Sequence, residues 1–175
     1  MKTVKKSVKY SIIIILLIGI AGFILPERVS VPVLGATTND WNKDSFWYEP
    51  WGSSGVHKGI DIFGKKSTPV VSTVDGLVLY QGNLQKGGNV VLVLGPKWRL
   101  HYYAHLESIG VKGLAFVKSG STIGSLGDSG NAKGKPPHLH YSIVCLLPRF
   151  WSIDRTTQGY KKAIFLDPNL LLVGS

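Results

Sequence analysis

Beyond its first fifty residues the chain is written as short apolar runs set between Gly, Asn, Asp and Pro, and the period of those runs is two. Residues 70–74, 76–80, 89–94, 100–105 and 138–144 are rich in Val, Ile, Leu and Tyr, residue types that pack well on a pleated surface. Around Asp61 the alternation sets Ile60 and Ile62 on one face and Asp61 and Phe63 on the other, and Gly59 argues against a helical pairing of His57 with Asp61. The same rule sets His101, Tyr103 and His105 on one face of a strand and Leu100, Tyr102 and Ala104 on the other. No sustained helical period follows residue 25, so the expectation beyond it is strand, with a turn at 116–119 and a terminal strand or turn around Asp167 and Pro168. The predicted fold class is mainly β: an antiparallel, barrel-sandwich-like sheet preceded by one N-terminal hydrophobic helix.

That helix comes from residues 11–25, an apolar run between a basic head (Lys2, Lys5, Lys6, Lys9) and Pro26. Its length falls between a signal-peptide core of about 7–15 residues and a spanning helix of about 17–25. Residues 1–25 therefore read as a signal peptide or a membrane anchor with its lysines inside. The remainder is expected to be exported, facing the periplasm or cell wall if anchored and secreted if the signal is cleaved. Residues 26–50, with Pro26, Pro32 and Gly35, read as a linker, and residues 51–175 are enough for one core. Aromatic residues crowd the junction at Trp41, Phe46, Trp47, Tyr48 and Trp51, either to cap that core or to stack on a ligand.

Charge narrows the partners. The net charge is +10, and beyond Ala36 fifteen Lys and Arg stand against nine Asp and Glu, which favours an anionic partner such as a cell wall. The lysines are scattered through loops rather than striped along a helix between aromatics, so nucleic acid is not expected. The single cysteine, Cys145, excludes an internal disulfide and reads as a small buried hydrophobe.

All five histidines fall in three pieces: His57 with Asp61 four residues on, His101 with His105, and His138 with His140. In a strand His138 and His140 point the same way, about 6.7 Å apart. A catalytic zinc takes three protein ligands and keeps a fourth position open. His57, Asp61 and one or both of His138 and His140 supply that number, leaving the other histidines for protons. Each piece has a plainer reading, a spacing met by accident or two solvated histidines on a half-exposed strand. Their concentration favours a site.

In order and spacing, the runs from His57 to Phe63, Ser67 to Gly76, Gly88 to Val91, Tyr103 to Leu106, Gly124 to Asn131 and Pro137 to Tyr141 resemble the lysostaphin-type (LytM-like) zinc metalloendopeptidases of peptidase family M23. The resemblance covers about half the chain, from Trp51 to Tyr141. It implies that residues 51–175 are a LytM-like metallopeptidase domain, that one Zn²⁺ is held by His57, Asp61 and His140, and that His105 and His138 are catalytic. It further implies a hydrolase acting on the stem peptides of bacterial peptidoglycan. His101 matches no motif position and reads as a surface residue. An amino-terminal asparagine, Asn39 or Asn42, is a candidate to block the metal. Two other classes stand beside this one. A non-catalytic wall-binding or amidase-activating member of the same fold would usually lack zinc ligands, and a carrier or phosphotransfer domain would need a swinging lysine or a phosphorylated histidine.

Overall fold

A computed structural model describes residues 2–173, with the side chains of residues 2–8, 15 and 18 outside that description. The basic head read from Lys2, Lys5 and Lys6 therefore lies outside the described side chains. Among the described residues nine strands follow the amino-terminal helix α1 (Lys2–Ile24): β1 (Ile60–Phe63), β2 (Pro69–Val71), β3 (Gly76–Leu84), β4 (Gly88–Gly95), β5 (Arg99–Ile109), β6 (Phe116–Val117), β7 (Thr122–Leu126), β8 (His138–Cys145) and β9 (Phe165–Leu166), before a last helical turn α2 (Asn169–Leu172). Every pairing is antiparallel. The main path runs β1-β8-β5-β4-β3-β6; β7 bridges β5 to β2, and β9 pairs with the far end of β8.

The alternation expected of the strands holds where both faces have distinct partners. Ile60 and Ile62 are fully buried with Leu139, Tyr141 and Ile143 of β8, Tyr103 of β5, and Val91 and Val93 of β4. Each such side chain removed from water stabilises the fold by about 1.5–3 kcal/mol. Cys145 is buried and free, as expected. One local expectation fails. Residues 116–117 form strand β6, because Leu77 and Gly76 of β3 offer an open edge. Residues 122–126 form β7 despite Gly124, whose absent side chain admits the Ser108 carbonyl. Of the strand or turn expected after Asp167, the tail takes the turn, as α2, and Asp167 Oδ1 accepts the Asn169 backbone N–H at its start.

The segment of residues 26–50 lies along the domain. Val33 forms a bridge with Val70 and is 2% exposed. Trp41 is buried and its indole N–H donates to Asn169 Oδ1 at 2.9 Å. Helix α1 rests against Trp98, whose indole N–H donates to the Gly19 carbonyl at 2.9 Å. Among the described residues no helix is long and apolar enough to cross a membrane, so the expected anchor gains no support from the fold.

Candidate metal centre

Three adjacent strands assemble the centre. Asp61 of β1 lies directly opposite His140 of β8, and His140 lies opposite Ala104 of β5. Opposed residues of an antiparallel pair share a face, so Asp61 and His140 emerge on the same side of the sheet. His57 enters from the loop before β1. Its backbone exchanges hydrogen bonds with the junction segment, Trp47 N–H to the His57 carbonyl at 2.7 Å and His57 N–H to the Tyr48 carbonyl at 3.0 Å. The result is a tight triangle: His57 Nε2 lies 3.0 Å from His140 Nδ1, and Asp61 Oδ1 lies 3.2 Å from the first and 2.9 Å from the second.

Proton accounting shows what such a triangle is suited to hold. His57 Nδ1 sits 3.0 Å from the Ser45 carbonyl, which only accepts, so Nδ1 carries the hydrogen and a neutral ring presents Nε2 as a bare lone pair. That lone pair faces a carboxylate oxygen. With neutral rings, a hydrogen on His140 Nδ1 is the one proton three acceptors can share. A divalent cation resolves the conflict. Tetrahedral zinc with bonds of about 2.0–2.1 Å sets its ligand atoms roughly 3.3 Å apart, close to the separations found, and two imidazoles with one carboxylate is a donor set zinc takes. His57, Asp61 and His140 thus fit a metal. Burial by itself would raise the Asp61 carboxyl, but hydrogen bonding and charge from His140 and His57 hold it well below the usual carboxylate range. Trp51 covers His57, ring centroids 3.9 Å apart and 20° from parallel.

Two further imidazoles border the triangle. His138 shares the face of His140, as period two demands, and its Nδ1–H donates to the Pro136 carbonyl at 2.8 Å. Its Nε2 lies 3.9 Å from Asp61 Oδ2. His105 Nδ1–H donates to the Ser129 carbonyl at 2.9 Å, and its ring centroid is 5.1 Å from that of His138 and 6.1 Å from that of His140. Both rings therefore turn Nε2 away from a carbonyl that fixes the tautomer. Burial first, then the charge of His140 and His138, pushes His105 down to about 4.

His105 reaches the cleft through a break in the alternation. Period two would leave it in the core with His101 and Tyr103, and the structure corrects that expectation. Asn89 of β4 pairs with Leu106 while Val91 pairs with Tyr103, so Ala104 and His105 together oppose Val90. This is a β-bulge. His105 takes φ +65°, Ala104 and His105 both line the cleft, and Leu106 resumes the core. His101, expected at the surface, is fully buried. Its Nδ1 pairs with Tyr141 Oη at 2.7 Å, its Nε2 meets no partner, and burial together with Arg99 pushes it down to about 3.

The centre floors a cleft of about 730 Å³, with Trp51 and Tyr102 on its walls and Lys58, Lys86 and Lys135 among its lining. Neither Asn39 nor Asn42 lines it, and Asn42 instead caps the turn Lys43–Ser45 by accepting from Asp44 N–H at 2.9 Å. The five histidine and aspartate candidates converge. Sequence reasoning missed the carbonyls of Ser45, Ser129 and Pro136, which carry no side-chain signature, and the three lysines, which the sequence scatters over 77 positions.

Residues 55–146 match the model of Peptidase family M23. The chain is 37% identical over 125 residues to the L-Ala–D-Glu endopeptidase of Bacillus subtilis, covering 66% of this chain and 38% of that protein. It is 36% identical over 105 residues to the murein hydrolase activator NlpD of Salmonella typhimurium, covering 59% of this chain and 27% of that one. It thus spans well under half the length of these curated relatives. Among solved structures it superposes on the catalytic domain of the antimicrobial peptidase lysostaphin from Staphylococcus simulans with a TM-score of 0.56 and 27% identity, over 71% of this chain and 85% of that one.

Proposed function

The chain belongs to peptidase family M23, and from that premise we propose that it is a zinc-dependent endopeptidase that works outside the cytoplasm and cuts peptide cross-links of bacterial peptidoglycan. One observation carries the reading: His57, Asp61 and His140 bring three ligand atoms within 4.8 Å of one another, with two tautomer-fixed histidines beside them. His57 Nε2, Asp61 Oδ1 and His140 Nδ1 are the atoms that would hold the ion. The chemistry zinc supplies when bound is Lewis acidity, which lowers the pKa of a water from about 15.7 toward about 7.

The remaining steps fall to the protein. His105 Nε2 stays unprotonated at neutral pH and takes the proton of the attacking water, then returns it to the leaving amine. His138 Nε2, on the Asp61 side, donates to the developing oxyanion in the imidazolium form, since the Nδ1–H is already committed to the Pro136 carbonyl. Trp51 excludes water from the His57 flank of the centre. A second reading, an activator of other murein hydrolases, draws on the likeness to NlpD. An activator has no use for a complete His, Asp, His set flanked by two further oriented imidazoles, and the endopeptidase reading is preferred on that ground.

The test is mass spectrometry of cross-linked peptidoglycan dimers incubated with the full-length chain, with zinc, with a chelator, and with His140→Ala. Zinc-dependent loss of dimers that is absent in the variant is the expected outcome. Intact dimers beside a zinc-loaded protein, with faster hydrolysis when a murein amidase is added, would establish the activator instead.

A further inference from the structure

The metal ligands occupy only the floor of the cleft, and its upper lining has a charge that the hydrolytic chemistry does not require. Lys58, Lys86 and Lys135 all line it, and apart from the ligand Asp61 no acidic side chain does. Lys58 Nζ is held by the carbonyls of Ser54 at 3.0 Å and Val56 at 3.3 Å, and Lys86 Nζ donates to Ser53 Oγ at 2.9 Å. Both ammonium groups are therefore drawn to the turn Gly52–Ser54, and among the described residues neither is paired with a carboxylate. In the pocket near α2, Lys97 and Arg99 both reach Glu27, at 2.9 Å and 2.7 Å, while Arg149 donates to the carbonyls of Lys162 and Phe165.

We infer that this lysine-lined wall is a subsite for a carboxylate of the substrate, so that the peptide taken by the centre is anionic rather than a neutral glycine-rich bridge. The inference rests on the endopeptidase reading for the position of the scissile bond but not for the charge preference itself. An ammonium carries three donor hydrogens and can leave a carbonyl or hydroxyl for a carboxylate, adding the attraction of opposite charges to a hydrogen bond. Three such groups around one opening also steer an anionic peptide toward the floor, an effect that salt weakens. Trp51 and Tyr102 supply apolar surface for the parts of the chain between its charges.

Equilibrium binding by the full-length chain, followed through tryptophan fluorescence, tests this with two synthetic stem peptides that differ only in carrying free or amidated side carboxylates. Tighter binding of the free acid, with a preference that falls roughly 3- to 10-fold in the Lys58→Gln/Lys86→Gln double variant and in raised salt, is expected from one or two rim ion pairs. Equal affinity for the two peptides, no binding of either, or a preference untouched by the double variant overturns the subsite. Cleavage of cross-linked dimers is scored in parallel. Cleavage without charge discrimination sinks this inference and leaves the endopeptidase standing; discrimination without cleavage does the reverse.

Discussion

His101 and His105 lie four residues apart on one strand, yet one is sealed in the core and the other borders the cleft. The first keeps the two-residue alternation of β5, and its neutral ring pairs with Tyr141 as a packing group. The second follows a bulge that sets two residues against Val90, and its backbone sits at φ +65°, an uncommon value for a residue with a side chain. The contrast teaches that residue type does not decide which histidine belongs to a site; the local backbone does. β5 changes partner at this point, from β8 through Ala104 to β7 from Leu106 onward. The bulge is where the strand makes that change, and the catalytic candidate sits on it.

The comparison breaks most completely if the centre needs no metal. Chelation or His140→Ala is expected to reduce dimer cleavage to background, with zinc restoring only the chelated wild type; undiminished turnover in zinc-free protein would refute the ligand set. Next in size, His105→Ala should lower kcat by about 10²–10⁴-fold, the usual contribution of a placed acid or base, while its thermal midpoint stays close to that of the wild type. A large loss of stability instead would make His105 a second His101.

The buried partner should show itself in acid. His101 holds a folded pKa of about 3 against about 6.5 when unfolded, so as pH falls below 6.5 the unfolded chain binds the proton first. Its contribution is thus intact above about 6.5, falls by up to about 1.4 kcal/mol per pH unit below that, and levels off near 3. Urea unfolding of wild type and His101→Leu across this range checks it: the variant should have the flatter acid limb. At neutral pH the same variant, which leaves Tyr141 Oη without its partner, is expected to lose about 1–3 kcal/mol and to keep the kcat of its folded fraction. A drop in kcat at unchanged stability would move His101 into the machinery.

Where two-residue periodicity governs, the sequence was a sufficient guide. Ile60 and Ile62 against Asp61, and His138 with His140, could be placed because each strand there has one buried and one open face. The same rule misplaced His105, because a bulge is set by the register of β4 and β7 against β5 and not by the residues it re-aims, whereas His101 was read at the surface because it matches no motif position. Strands β6 and β7 were hidden for a related reason. A two-residue strand and one that contains Gly124 carry little propensity of their own, and they exist because neighbouring edges pair with them. The family motifs located all five centre residues, but motifs say nothing of backbone carbonyls, and three of these orient three of the four imidazoles.

One of those carbonyls has a consequence for how the protein can be cut and recombined. The Ser45 oxygen that fixes the His57 tautomer lies upstream of residue 55, where the family match begins. A fragment trimmed to the family boundary would retain every ligand side chain and lose the group that aims one of them. Trimming before Trp41 keeps the hinge of the centre intact, whereas a graft or protease site between Trp41 and Gly55 should weaken metal retention before it unravels the sheet. In modular terms, the transferable unit starts in the stretch that looks like a spacer.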